Sequence, residues 1–185
     1  MADIQQTTKA KKGSRKSFFE VKAPITATKI QLYASSIEEL EGKVVKLDLT
    51  RSLKGKNFEL KLKVMRKENE LEAEPVSAEV IGSYIRRMMR TGVDYVEDSF
   101  KAELKDGNAI VKPFMITRNK VSRAVRRALR ETARKFIEGY IKTRSTKEAF
   151  RDIMANKLQK ELSFKLKKIY PLAFCEIRVF ELIKK

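Results

Sequence analysis

Histidine and tryptophan are both missing from this chain of 185 residues, and cysteine occurs once, at Cys175. Without an imidazole there is no histidine general base, no Ser-His-Asp or Cys-His pair, and no histidine-containing zinc site. A lone thiol makes neither an internal disulfide nor a thiolate cluster. Set in an apolar, strand-like run, Cys175 reads as a buried structural side chain, and the composition fits a reducing compartment. Long apolar runs are missing too. None approaches the ~18 residues of a membrane-crossing helix, and the leading MADIQQTTKAKKGSRKS has no apolar centre of the kind a signal peptide needs. The expected setting is soluble and cytoplasmic, with no membrane partner. Acid is the scarcer charge: 24 Asp and Glu face 42 Lys and Arg, for a formal charge of +18. That excess repels itself in a compact monomer unless a polyanion offsets it. Hydrophobic residues make up 42% of the chain, which excludes disorder throughout. The length suits one domain with an appendage.

What is present is concentrated in RNKVSRAVRRALRETARKFIEGYIK, beginning at Arg118. On a helix, Val121, Val125, Ala128, Leu129, Thr132, Phe136 and Tyr140 fall in one arc, while Arg123, Arg126, Arg127, Arg130 and Arg134 fall in another. Glu131 is the one acid between Arg118 and Arg134. Burial does not require such a row, and a surface evolved only for solubility mixes both signs. Guanidinium forks match phosphate oxygens, so the row predicts a nucleic-acid backbone as partner.

The remaining pattern predicts a basic arm over 1–17 and a single α+β globular domain over 18–185. The arm carries Lys9, Lys11, Lys12, Arg15 and Lys16 and nothing apolar enough to bury. Phe18 and Phe19 beside it read as core, with base stacking as the alternative. A strand around Ile30 and Leu32 precedes a helical turn at 35–40. Alternation then predicts two strands, one with Val45, Leu47 and Leu49, the other with Phe58, Leu60, Leu62 and Val64. Leu71 and Ala73 suggest a short strand ending before Pro75. Ser77 is placed as the N-cap of a helix ending at Gly92, its apolar stripe including Met88 and Met89 as core filler. Val96, Phe100, Ala102 and Leu104 lead into an Asp106-Gly107 hairpin turn, Asp-Gly supplying the positive φ of a tight turn, and Ile110, Phe114 and Ile116 follow. The arginine helix spans roughly 119–143. Ser145 with Glu148 forms a capping box for one further helix through Leu162. A last strand carries Cys175, Ile177 and Val179 on one face. A strand returning at the end implies an antiparallel sheet, barrel-like in its closure, with helices packed on one side.

Catalytic candidates are few. Asp94, Glu97 and Asp98 are the one carboxylate group with the composition of a magnesium site, yet alternation sends Glu97 and Asp98 to opposite faces, so a salt-bridged strand edge is the expectation. Lys54-Gly55-Lys56 lacks the flanking residues of a phosphate loop. No enzyme activity, cofactor or metal is expected. Basic features recur instead: Arg86, Arg87 and Arg90 form one further cluster, and Lys165, Lys167 and Lys168 another. Together with the arm and the arginine helix they suggest recognition of RNA by its backbone and shape.

Five segments share a resemblance: SFFEVKAP at 17–24, KVVKLDL at 43–49, SYIRRMMRTGVDYVEDSF at 83–100, KDGNAIVKPFMIT at 105–117 and KKIYPLAFCEIRVFEL at 167–182. In this order they resemble the small-subunit ribosomal protein family called eS-one, formerly S-three-Ae, in its shorter archaeal form. The resemblance implies a β-barrel flanked by helices on the platform of the small subunit, near the mRNA exit and the 3′ end of the rRNA. It also implies contacts to small-subunit rRNA and neighbouring ribosomal proteins, with mRNA near the exit as a further contact. The expected function is structural, with a free-standing RNA chaperone or translational regulator as the alternative.

Overall fold

Alternation of apolar and polar side chains builds the first half of the chain. The computed structural model describes residues 16–53, 56–67 and 70–183; the arm residues Lys9, Lys11, Lys12 and Arg15 lie outside the described residues. Strand β1, Ser17–Ala23, pairs antiparallel with β2, Thr28–Ala34. The single turn of α1, Ile37–Leu40, buries Leu40, and Gly42 at φ +78° redirects the chain into β3, Val44–Asp48. Strand β4, Phe58–Lys67, pairs with β3 and follows the expected period of two. Phe58, Leu60, Leu62 and Val64 are at most 1% exposed, and burying each contributes ~1.5–3 kcal/mol.

Strand β5, Glu70–Val80, corrects the expectation most plainly. It runs straight through Pro75 and Ser77, so Ser77 caps no helix. Opposite β4, Lys61 pairs with Ser77 and Leu62 with Pro75, leaving Val76 as an extra bulged residue. A bulge is one of the places where a sheet accepts proline, which has no N–H for the ladder. It also shifts the inward phase from Leu71, Ala73 and Pro75 to Ala78 and Val80. The helix α2 is correspondingly short, Gly82–Met88, with Ile85 its buried residue. Met88 and Met89 are 38% and 41% exposed and are not core filler.

Strands β6, Tyr95–Glu97, and β7, Phe100–Glu103, both pair with β8, Asn108–Thr117. The β7–β8 hairpin is present, but Gly107 is not among the positive-φ glycines. A loop of several residues closes it instead, with Leu104 N–H donating to the Gly107 carbonyl at 2.7 Å. Asp106 turns outward to accept the Thr146 N–H at 3.2 Å, docking the next helical layer.

That layer comprises α3, Arg123–Lys142, α4, Thr146–Met154, and α5, Lys157–Lys167. The capping box is formed: Ser145 N–H donates to Glu148 Oε2 at 3.0 Å, and Ser145 Oγ accepts the Glu148 N–H. The expected single helix breaks at Asn156, which takes φ +57°, a left-handed conformation that asparagine tolerates. Asp152 ties the pieces together by accepting the Tyr140 hydroxyl at 2.9 Å, with Arg144 at 3.5 Å. Burial first, then this hydrogen bond, pushes the Tyr140 phenol up to about 12. Among the described residues no helix is long and apolar enough to cross a membrane.

Strand β9, Leu172–Ile183, returns to pair antiparallel with both β5 and β8. Opposite β8, Lys112 pairs with Val179 and Pro113 with Ile177, so Arg178 is bulged. As in β5, the proline sits at the irregularity. The buried residues are therefore Ile177 and Phe180, and Val179 does not share their face. The main path of the sheet is β2-β1-β5-β9-β8-β6, with β3-β4 branching from β5 and β7 from β8. The expected barrel closure is absent. β5 spends one edge on β4 and divides the other between β1 and β9, so the nine described strands branch into an open sheet.

Where the helical layer meets the sheet, Lys56 is only 7% exposed. Its ammonium donates to Glu176 Oε2 at 2.6 Å and Asn156 Oδ1 at 2.7 Å, and the Gln159 amide donates to the same carboxylate oxygen at 3.2 Å. Cys175 beside Glu176 is half-buried; burial, helped by the Glu176 charge, pushes its thiol up to about 12, so it is an inert structural cysteine.

Candidate nucleic-acid interface

Hydrogen bonds around its N-terminus aim α3. Ser122 Oγ accepts the Val125 N–H as N-cap. Asp94 accepts the Val121 N–H on its carboxylate and the Thr117 N–H on its carbonyl, both at 2.9 Å. The Thr117 hydroxyl, fully buried, accepts the Asp94 N–H at 3.1 Å and lies 2.7 Å from the Asn119 carbonyl. Asp94 is thus part of the helix mount. Glu97 pairs with Arg178 at 3.2 Å, as expected of a strand edge, and Asp98 accepts the Ser99 N–H at 2.9 Å. No group of three or more metal-ligating side chains occurs among the described residues.

The buried line of α3 runs along Leu129, Ala133, Ile137 and Ile141. The expected Val125, Phe136 and Tyr140 pack along its margin. This rotation brings Arg126, one turn before Leu129 and two turns before Ala133, to the edge of the buried stripe, where it is half-buried and its Nε has no partner. Arg123, Arg127, Arg130 and Arg134 stay exposed. Two of them lean on their own helix: Arg127 Nε lies 2.8 Å from Glu131, and Arg134 Nε 2.8 Å from Glu138. Hydrogen bonding to Arg127, and its charge, hold Glu131 below the usual carboxylate range. Arg134 also covers the Phe100 ring at 5.5 Å. Both pairs are in water, where screening keeps them weak and exchangeable for phosphate. Arg123, Arg126 and Arg130 have no carboxylate within ion-pair distance among the described residues.

The arginines border two open depressions that share Arg130. One, of about 450 Å³, is lined by Tyr95, Arg123, Arg126, Arg127, Arg130 and Glu131. The other, of about 530 Å³, adds Lys112 and Arg178 beside Glu97 and Asp98. Tyr95, Lys112 and Arg178 escape a reading of the sequence because nothing local shows that β6, β8 and β9 present their outer faces beside α3. Tyr95 is 49% exposed and stacks on Phe114 with centroids 5.9 Å apart, a rigid aromatic next to the arginines.

The other predicted cations line neither depression. Arg86 and Arg90 are exposed at α2, whereas Arg87 lies over Tyr84 at 5.6 Å and donates to Asn57 at 3.1 Å. Lys165 lies 5.0 Å from the Phe136 ring, Lys168 is exposed beyond α5, and Arg118 and Lys167 meet in a separate depression. Lys16 approaches the Tyr33 ring at 5.9 Å. Phe18 is 71% exposed against Tyr33, which corrects its placement in the core, while Phe19 does pack there.

Comparison with known proteins gives the same picture a family. The Ribosomal S3Ae family model matches residues 4–185. The small ribosomal subunit protein eS1 of Nanoarchaeum equitans is 29% identical over 178 residues, covering 91% of this chain and 89% of its own. Its counterpart from Methanothermobacter thermautotrophicus is 27% identical over 103 residues, covering 55% of this chain and 53% of its own. A match that extends over almost every residue, arginine helix and open sheet included, means that the chain belongs to the Ribosomal S3Ae family.

Proposed function

We propose that this chain is a structural, non-catalytic component of the small ribosomal subunit, in the cytoplasm, and that it holds rRNA chiefly by its phosphates. The carrying observation is the α3 face, where Arg123, Arg126 and Arg130 have no described carboxylate partner and two depressions open around Arg130. The printed names of both relatives, small ribosomal subunit proteins, support the assembly. A charge of +18 supports a polyanionic partner. The position follows the resemblance: the platform, near the mRNA exit and the rRNA 3′ end, with neighbouring ribosomal proteins and passing mRNA as further contacts.

Sedimentation through a high-salt gradient tests this reading. A scaffold component held by many contacts stays with the small subunit at salt concentrations that strip loosely bound proteins. Recovery at the top of the gradient would instead mark a free-standing RNA chaperone, whose few, exchangeable contacts are lost at lower salt.

A further inference from the structure

A third depression, of about 300 Å³, lies between the end of β8, α5 and the start of β9. Arg118, Lys160, Ser163, Phe164, Lys167 and Pro171 line it. Helix α5 buries Leu158, Leu162 and Leu166, each at most 1% exposed. Phe164, two positions past Leu162, therefore projects away from that stripe, and it is 74% exposed. Folding gains little from a phenyl ring left in water. Around it, Arg118, Lys160 and Lys167 come from two segments of chain, and none has a described carboxylate within ion-pair distance. An aromatic face rimmed by cations suits a ligand that is flat on one side and anionic on the other. An unpaired nucleotide has that form: its base stacks on the ring and its phosphates meet the cations. The volume lies at the small end of ligand pockets, fitting one such unit.

We propose that this depression takes one unpaired nucleotide of the RNA that α3 holds, with its base on Phe164 and its phosphates against Arg118, Lys160 and Lys167. The inference rests on the reading of the chain as an RNA-binding protein. Arg118 lies just ahead of α3, so one strand of RNA passing from the arginine face reaches the depression next.

Because the chain has no tryptophan, Phe164→Trp places a single indole at the site. The full-length variant is titrated with a single-stranded RNA oligomer and with the same sequence as a duplex, while anisotropy follows total binding. The single strand should quench the indole in step with binding, and the duplex should leave it unchanged. Phe164→Ala should weaken single-strand binding on the order of 10-fold, the usual scale for one stacked base. Its salt slope should stay unchanged, because no phosphate contact is lost. Since Phe164 is exposed, the fold survives either variant. RNA held normally by an unquenched indole variant, or by Phe164→Ala at the original affinity, overturns the depression as a nucleotide site and leaves the arginine face standing. Failure of the unmodified chain to bind any RNA overturns both.

Discussion

Reversing Arg123 and Arg130 together to glutamate is expected to weaken binding to small-subunit rRNA about 100-fold at moderate salt, taking each charge-assisted hydrogen bond at ~1.5 kcal/mol. Both side chains are exposed on α3 and border the two depressions, and neither has a described carboxylate to release. Arg127 and Arg134 are poorer targets because Glu131 and Glu138 already hold them. Arg126 is poorer for a different reason: a carboxylate at the edge of the Leu129–Ala133 stripe would disturb packing as well as binding. The reversal should also flatten the dependence of log affinity on log salt by roughly 1.4–1.8, since each lost phosphate contact removes ~0.7–0.9. Affinity measured at three or more salt concentrations separates this from unfolding, which abolishes binding without giving a shallower line. An unchanged slope would remove α3 from the contact surface.

Lys56→Met is expected to cost ~3–5 kcal/mol of stability, because removing one partner strands the other charge in a poorly solvated site. The Glu176 side chain is 15% exposed and would keep only the Gln159 amide at 3.2 Å. For a protein of this size the thermal midpoint should fall by roughly 10 °C. Replacing both charges, Lys56→Met with Glu176→Leu, should recover most of the loss, because no buried charge then lacks a partner. Denaturant titration of the two variants checks it; equal losses in the single and double variants would show that packing rather than charge pairing sets the cost. The pair matters to the RNA surface because it joins three regions: the segment before β4, the corner between α4 and α5, and β9.

Elements whose cause is local were legible in the sequence. The alternation of β4, the Ser145–Glu148 capping box and the position of α3 all depend on residues a few positions apart. Elements whose cause is a distant strand were not. Val76 in β5 and Arg178 in β9 are bulged because of the strands opposite them, and each bulge breaks the period of two. Val80, Ile81, Tyr84, Ile85, Met88 and Met89 keep a helical spacing across the end of β5 and into α2, which is why Ser77 looked like an N-cap. Barrel closure failed for a related reason: alternation says which face a strand buries but not which strand lies on each edge. Within the candidate site the arginines were legible by periodicity. Their division into held and available ones was not, because Glu138 lies beyond the acid-poor window and Arg126 depends on how α3 is rotated. Phe164 carried a readable signal, since it falls off the Leu158–Leu162–Leu166 stripe, but its cationic surroundings come partly from Arg118, far away in the chain.

Crosslinking this chain to RNA inside intact small subunits, with each linked residue mapped by mass spectrometry, tests the central claim most directly. Links to rRNA are expected at α3 and around the depressions, at Tyr95, Arg123, Arg130 and Arg178. RNA links confined to other surfaces, with α3 shielded by protein alone, would contradict it.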